Sequence, residues 1–256
     1  MHPTMASRFD ALEQTWSSLQ SVLVELAPDE WALPTGCPGW SVKDNVSHIA
    51  GLERSILGEP DPEHHLPEDM PHVRDENGRF TEMAVDYRRP WPNKRVLAEF
   101  EDVTARRLEM LRADETPPDK DVAGPFGWRL PYSRLMTIRV FDCYAHEQDV
   151  RRATHRYGNA VGPAADIARK NIVTGWSRIA RNLRELDGVH VVLVLDGSQH
   201  DLSHPDGATR EVRLTTDLLA AVPLACGRDD RRVEAVSVEG SSDLWESLLP
   251  HLGFTP

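Results

Sequence analysis

The sequence predicts an α+β protein, with a four-helix bundle first and a small α+β domain after it. Three observations carry this expectation. Apolar residues recur at steps of three and four through four long segments before Arg156. Pro- and Gly-rich breaks separate those segments. Short β-branched runs follow in the last hundred residues. The expected domains are 1–156 and 157–256.

The first helix is expected over about Phe9–Leu26, with Phe9, Leu12, Trp16, Leu19, Leu23 and Leu26 on one face. PTGCPGW then breaks the chain. Ser41 with Asp44 three residues on reads as a helix N-cap with an acidic first turn, and Val42, Val46, Ile49 and Ile56 line the second helix. Gly58 to about Pro92 is rich in Pro, His and acidic residues, with one short helical stretch near Phe80–Tyr87. A segment this long without its own core is usually functional or mobile. A third long helix is expected over Asn93–Arg112, then the break ETPPDKDVAGPFGW, then a fourth helix over about Tyr132–Thr154. Four long helices joined by loops make an antiparallel bundle. The second domain reads as helix Ala164–Leu186, strand Val189–Asp196 closed by the hairpin signal Asp196-Gly197, and strand Arg210–Thr216. Helix Leu218–Cys226, strand Val233–Val238 and helix Asp243–Leu252 complete it.

Composition limits the partners. The chain has 256 residues, with 41 acidic against 29 basic side chains, a formal charge of -12. That field repels nucleic acid and anionic membrane surfaces, which leaves small molecules as expected partners, for a monomer or homodimer. No apolar run approaches the roughly 20 residues of a membrane span, and the N-terminus has no signal-peptide pattern. Cys37, Cys143 and Cys226 form neither a disulfide framework nor a CxxC knuckle, which fits reduced thiols in a cytoplasm.

The chemistry concentrates on the fourth helix. Arg139, Asp142, His146 and Asp149 fall at i, i+3, i+7 and i+10, a stripe roughly 80° wide at about 100° per residue. Apolar residues lie on more than one side of it, so this polar stripe must be satisfied or functional. Asp142 and His146, four apart, can clasp one metal, and His48 on the second helix is the best third ligand. Two imidazoles and one carboxylate leave a fourth position open, as catalytic zinc sites do. The spacing equally permits a surface ion pair, with His48 a satisfied core residue. Arg139 and Asp149 read as a salt-bridge ladder that orients the ligands. Cys37 is expected to pack or cap in its turn, and Cys143 to point about 100° away from Asp142. His64, His65 and His72 lie in the acidic segment, as a lid or as a solvated loop.

TGCPGWSVKDNVSHIAGLE resembles the first signature of the mycothiol-dependent maleylpyruvate isomerase family, within the DinB-like superfamily. RVFDCYAHEQDVRRA is similar to its second signature, and LACGR with VEGSSDLWESLLPHLGFTP to the end of its C-terminal domain. The resemblance implies a DinB-like four-helix bundle followed by a small SCP2-like α+β domain. It implies Zn2+ held by His48, Asp142 and His146, with mycothiol as the external thiol and a small electrophile as substrate. Arg228 matches an arginine that the family's C-terminal domain supplies, which would make it catalytic and, with Arg139, cofactor-binding. A surface cation at a helix end is the other reading of Arg228. One departure stands out: the family's isomerases usually carry Glu where this chain has Asp142, one methylene or about 1.5 Å shorter. The implied activity is cis–trans isomerisation by thiol addition and elimination. The alternatives are a mycothiol S-transferase, a metal- or small-molecule-binding protein without turnover, and a helical protein acting through protein contacts.

Overall fold

The computed structural model describes residues 4–59, 63–124, 127–204, 206–228, 235–240 and 242–255. The chain divides into two compact units, Met1–Ala164 and Ala165–Pro256.

The first unit is built on helices α1 (Met5–Leu23), α2 (Val42–Ile56), α3 (Glu76–Arg88), α4 (Asn93–Arg112) and α5 (Tyr132–Ala153). Helix α1 packs on α5 and α4, and α2 packs on α3, α4 and α5. Leu12, Trp16, Leu19, Ile49, Phe100, Val140 and Tyr144 are buried in this core. Helix α1 starts four residues before Phe9, because Thr4 caps it by accepting from the Ser7 amide at 3.1 Å. The Ser41–Asp44 expectation holds as a full capping box. That cap fixes the start of α2 and so the height of His48.

Two further features of this unit differ from the sequence expectation. Helix α3 runs from Glu76 to Arg88, capped by Asp75, and is longer than Phe80–Tyr87. Its buried side chains are Glu82, Val85 and Arg88. It docks largely through charged groups, so apolar periodicity under-reads it: Arg88 forks onto Glu99 at 2.5 and 2.7 Å, and Trp40 Nε1 donates to Glu82 at 2.7 Å. The break before α5 contains a short antiparallel hairpin, β1 (Asp121–Ala123) with β2 (Arg129–Pro131).

The second unit carries helix α6 (Pro163–Asn182) and a four-stranded sheet in the order β4-β3-β5-β6. Its strands are β3 (Val189–Leu195), β4 (Ser198–Asp201), β5 (Arg210–Thr216) and β6 (Ser237–Gly240). Strands β3 and β5 are parallel, and the two outer pairings are antiparallel. Asp196 and Gly197 have φ of 49° and 78°, the left-handed pair of a type I′ turn whose twist matches the β3–β4 hairpin. Helices α7 (Leu218–Ala225) and α8 (Ser242–Leu248) follow β5 and β6. The expected strand Val233–Val238 begins at Ser237, and residues 233–234 lie outside those described. With the bundle and the sheet together, the protein is α+β.

Candidate metal centre

His48 projects from α2, and Asp142 and His146 from successive turns of α5. His48 Nε2 lies 3.3 Å from Asp142 Oδ2, and His146 Nε2 lies 3.6 Å from Asp142 Oδ1. One ligand atom from each of the three lies within 4.8 Å of the others. The His48 and His146 side chains are 4 % and 7 % exposed, and that of Asp142 is 29 % exposed. The trio is therefore closed on its imidazole sides and open at the carboxylate. Trp40 packs against both imidazoles, with ring centroids 5.1 and 5.5 Å away.

The surrounding hydrogen bonds decide which nitrogen His146 presents. Asn45 Nδ2 donates to Thr35 Oγ1 at 3.0 Å and to the Ser41 carbonyl at 2.9 Å. Its Oδ1 must then accept, and it lies 2.7 Å from His146 Nδ1. His146 therefore donates from Nδ1 to Asn45 and presents Nε2 to Asp142. This is how an outer partner fixes the tautomer of a ligating histidine.

Asp142 is positioned through Arg139. The Arg139 guanidinium donates to Asp142 Oδ2 at 2.5 Å and to Glu53 Oε1 at 2.6 Å, and it touches Cys143 Sγ at 3.2 Å. Glu53, fully buried, also accepts from Arg107 Nε at 2.8 Å. A chain Arg107–Glu53–Arg139–Asp142 thus crosses from α4 through α2 to α5. Arg139 is paired with both carboxylates and so orients Asp142.

The electrostatics suit a ligand set. Burial pushes the His48 pKa down, only partly offset by Asp142, so the imidazole stays neutral with a lone pair to give. Burial opposes ionisation of Asp142, but Arg139, His48 and His146 outweigh it and hold the carboxyl well below its usual range. Burial pushes the Cys143 thiol up to about 12, and Trp16 Nε1 donates to its sulfur at 3.4 Å. Cys143 is a packed thiol and no nucleophile at neutral pH.

A second group, Cys37, His146 and Asp149, also brings ligand atoms within 4.8 Å of one another. Asp149 Oδ2 faces His146 Nδ1 at 3.5 Å, the nitrogen that Asn45 keeps protonated. The trio that His146 joins through its other nitrogen, Nε2, is His48, Asp142 and His146. Sequence reasoning missed Asn45 and Glu53, and it placed Cys37 only in a turn. The available signal was Asn45 lying one turn before His48 on the capped helix.

The remaining candidates have partners of their own or lie exposed. His64 Nε2 pairs with Asp86 at 2.7 Å and His72 Nε2 with Glu82 at 3.1 Å, so both dock on α3, while His65 is exposed. Arg228 belongs to the second unit, is 5 % exposed, and donates from Nη1 to the Cys226 carbonyl at 3.3 Å. Beside His48, between α2 and α3, lies a cavity of about 190 Å3.

A family model, the mycothiol maleylpyruvate isomerase N-terminal domain, matches residues 12–151, more than half of the chain. The chain belongs to this family. Curated relatives are the uncharacterized proteins MT0041 and Rv0036c of two strains of Mycobacterium tuberculosis, each 25% identical over 166 residues. The alignment covers 64% of this chain and 63% of theirs, so the chain spans less than two thirds of their length. The crystal structure of a mycothiol-dependent maleylpyruvate isomerase is similar over 93% of both chains, with a TM-score of 0.59 and 16% identity. A histidine-to-alanine mutant of that isomerase gives 0.56 and 17%, again over 93% of both chains. At these identities the likeness shows the shared fold, a helix-rich chain with a small sheet unit. Among the described residues, no helix of this family member is long and apolar enough to cross a membrane.

Proposed function

We propose that this family member is a metal- and thiol-dependent enzyme. In this reading His48, Asp142 and His146 hold one divalent ion, Zn2+ by the character of the donor set, with mycothiol as the thiol and a small electrophile as second substrate. The observation that carries the reading is the orientation of His146. The Asn45 clamp on Nδ1 directs Nε2 toward a carboxylate and a second imidazole, all within ligand distance of one point. The donor set fits: two imidazoles and one carboxylate, with Asp142 as the solvent-open member.

When bound, the metal would lower the pKa of a coordinated thiol so that thiolate forms near neutral pH. The chain's own groups do the rest. Asn45 holds the Nδ1 proton of His146, Arg139 aims the Asp142 carboxylate, and Trp40 covers both imidazoles. For Arg228 the proposed task is to hold an anionic group of thiol or substrate. Cys37, Cys143 and Cys226 form no disulfide among the described residues, which fits a reducing cytoplasm.

Family membership supports cis–trans isomerisation of a maleylpyruvate-like substrate as the reaction. S-transfer to an electrophile is the second reading, and the cavity beside His48 favours it, as argued below. Elemental analysis of the purified protein and of His146→Ala tests the centre. Bound metal that the variant loses is expected, and equal metal in both overturns the proposal. Thiol-dependent turnover should then disappear in His48→Ala.

A further inference from the structure

The cavity beside His48 is lined by Leu52, Phe80, Met83 and Ala84, with Ser55 and Thr81. Its depth depends on Gly51, where a Cβ would lie 2.5 Å from the Ala84 Cβ and force α3 away from α2. The charged groups at its edge are already matched. Arg88 forks onto Glu99 and donates to the Ala84 carbonyl at 2.8 Å. Arg54 Nε pairs with Glu59 at 2.6 Å and its Nη1 with Glu99 at 3.1 Å. Glu59 also pairs with Arg106, which lies outside the lining. The two lining guanidinium groups, Arg54 and Arg88, thus face the carboxylates of Glu59 and Glu99, and an entering anion would have to break one of these pairs.

We infer that this cavity binds a small, uncharged, apolar group about the size of one aromatic ring. An apolar cavity of about 150 Å3 takes up benzene, and this one measures about 190 Å3. Its apolar lining rewards burial of a ring, and its balanced rim leaves a carboxylate without a free counter-charge. Since His48 belongs both to the cavity wall and to the proposed metal centre, a ring seated there lies next to the ligand trio. That the occupant is the uncharged part of the electrophile rests on the proposed function; that the cavity takes a ring does not. A dicarboxylate such as the family's namesake substrate matches this cavity poorly, whereas a neutral aryl or benzyl electrophile matches it well.

Fluorine NMR of the full-length protein with fluorobenzene and, separately, 4-fluorobenzoate tests the inference. Fluorobenzene should bind at least about tenfold more tightly than the benzoate. Ser55→Trp fills the cavity from α2 and Thr81→Trp fills it from α3, so one of the two remains informative if the other misfolds. Each folded variant should weaken fluorobenzene by about tenfold or more with metal content unchanged. Equal binding of both probes, no binding of fluorobenzene, or binding that persists in the filled variants overturns the inference. Ring binding that survives in metal-free protein, together with no thiol-dependent turnover of a benzyl halide, would sink the S-transfer reading and leave the cavity assignment standing.

Discussion

The two units solve the problem of a protein interior in different ways. Among the described residues, every buried polar or charged side chain except Ser203, Thr216 and Arg228 lies in the helical unit. The sheet unit buries Val191, Val192, Leu193, Val212 and Leu214 on adjacent strands. Buried charge is costly unless paired and hydrogen-bonded, so the bundle carries a burden that the sheet avoids. The bundle itself shows two uses of it. On one face of α5, Glu147 accepts from Ser18 at 2.5 Å, Arg151 at 2.7 Å and Asn159 at 2.6 Å, which pins α1 and the chain after α5. On another, Arg107–Glu53–Arg139 ends on Asp142, whose oxygens face two imidazoles. The first network closes on itself. The second ends in a set of atoms fit to bind something else.

The largest expected effect is at Glu53. Glu53→Ala leaves two buried guanidinium groups without their carboxylate and should destabilise the protein by about 3–5 kcal/mol in denaturant unfolding. It should also lower metal content, because Arg139 loses the group that aims it at Asp142. A core truncation in the sheet, Leu214→Ala, should cost about 2–5 kcal/mol and leave metal content unchanged. If both variants lose metal alike, the Arg107–Glu53–Arg139 chain has no special link to the centre.

Asn45→Ala should come next. It removes the acceptor that keeps the His146 proton on Nδ1 and should weaken metal affinity by about 10–100-fold in competition titration. Asn45→Asp, which retains an acceptor, should recover most of that loss. An unchanged affinity in Asn45→Ala would show that Asp149, 3.5 Å from the same nitrogen, suffices to hold the tautomer. In the sheet unit, Gly197→Ala forces a side chain into the left-handed half of the β3–β4 turn. It should cost about 1–2 kcal/mol with no effect on metal.

These sites differ in how far the sequence reveals them. The Asp142–His146 pair is legible because helical spacing alone fixes it, and the Ser41–Asp44 cap and the Asp196-Gly197 turn are legible because local chemistry does. Glu53 is not, since its partners Arg107 and Arg139 lie 54 and 86 residues away and only packing brings them together. Helix α3 is half legible: its anchors Glu82 and Arg88 are charged, and periodicity counts only apolar residues. Cys37 approaches His146 and Asp149 through a turn whose path the sequence marks only as a break.

The smallest expected effect is in pH. Burial holds the folded His48 pKa below its ordinary value of 6.5, so between the two values the unfolded chain binds more protons than the folded one. Stability of the metal-free bundle should therefore fall as pH drops below about 6.5. Asp142 acts in the same direction at lower pH, because its depressed pKa gives stability above the ordinary value of 3.8 that is lost as pH falls through the folded one. Glu147 opposes them: its pKa is raised, burial outweighing its bonds to Ser18, Arg151 and Asn159, so acidification toward its ordinary 4.5 relieves a buried charge. Ser203, Thr216 and Arg228 do not titrate in this range, so the sheet core serves as the internal reference. Hydrogen exchange followed by mass spectrometry at pH 7 and pH 5 should show protection falling in α2 and α5 but not in β3 and β5. His48→Gln should flatten that fall. A bundle that responds identically with and without His48 would mean that its acid sensitivity comes from the structural networks and not from the candidate site.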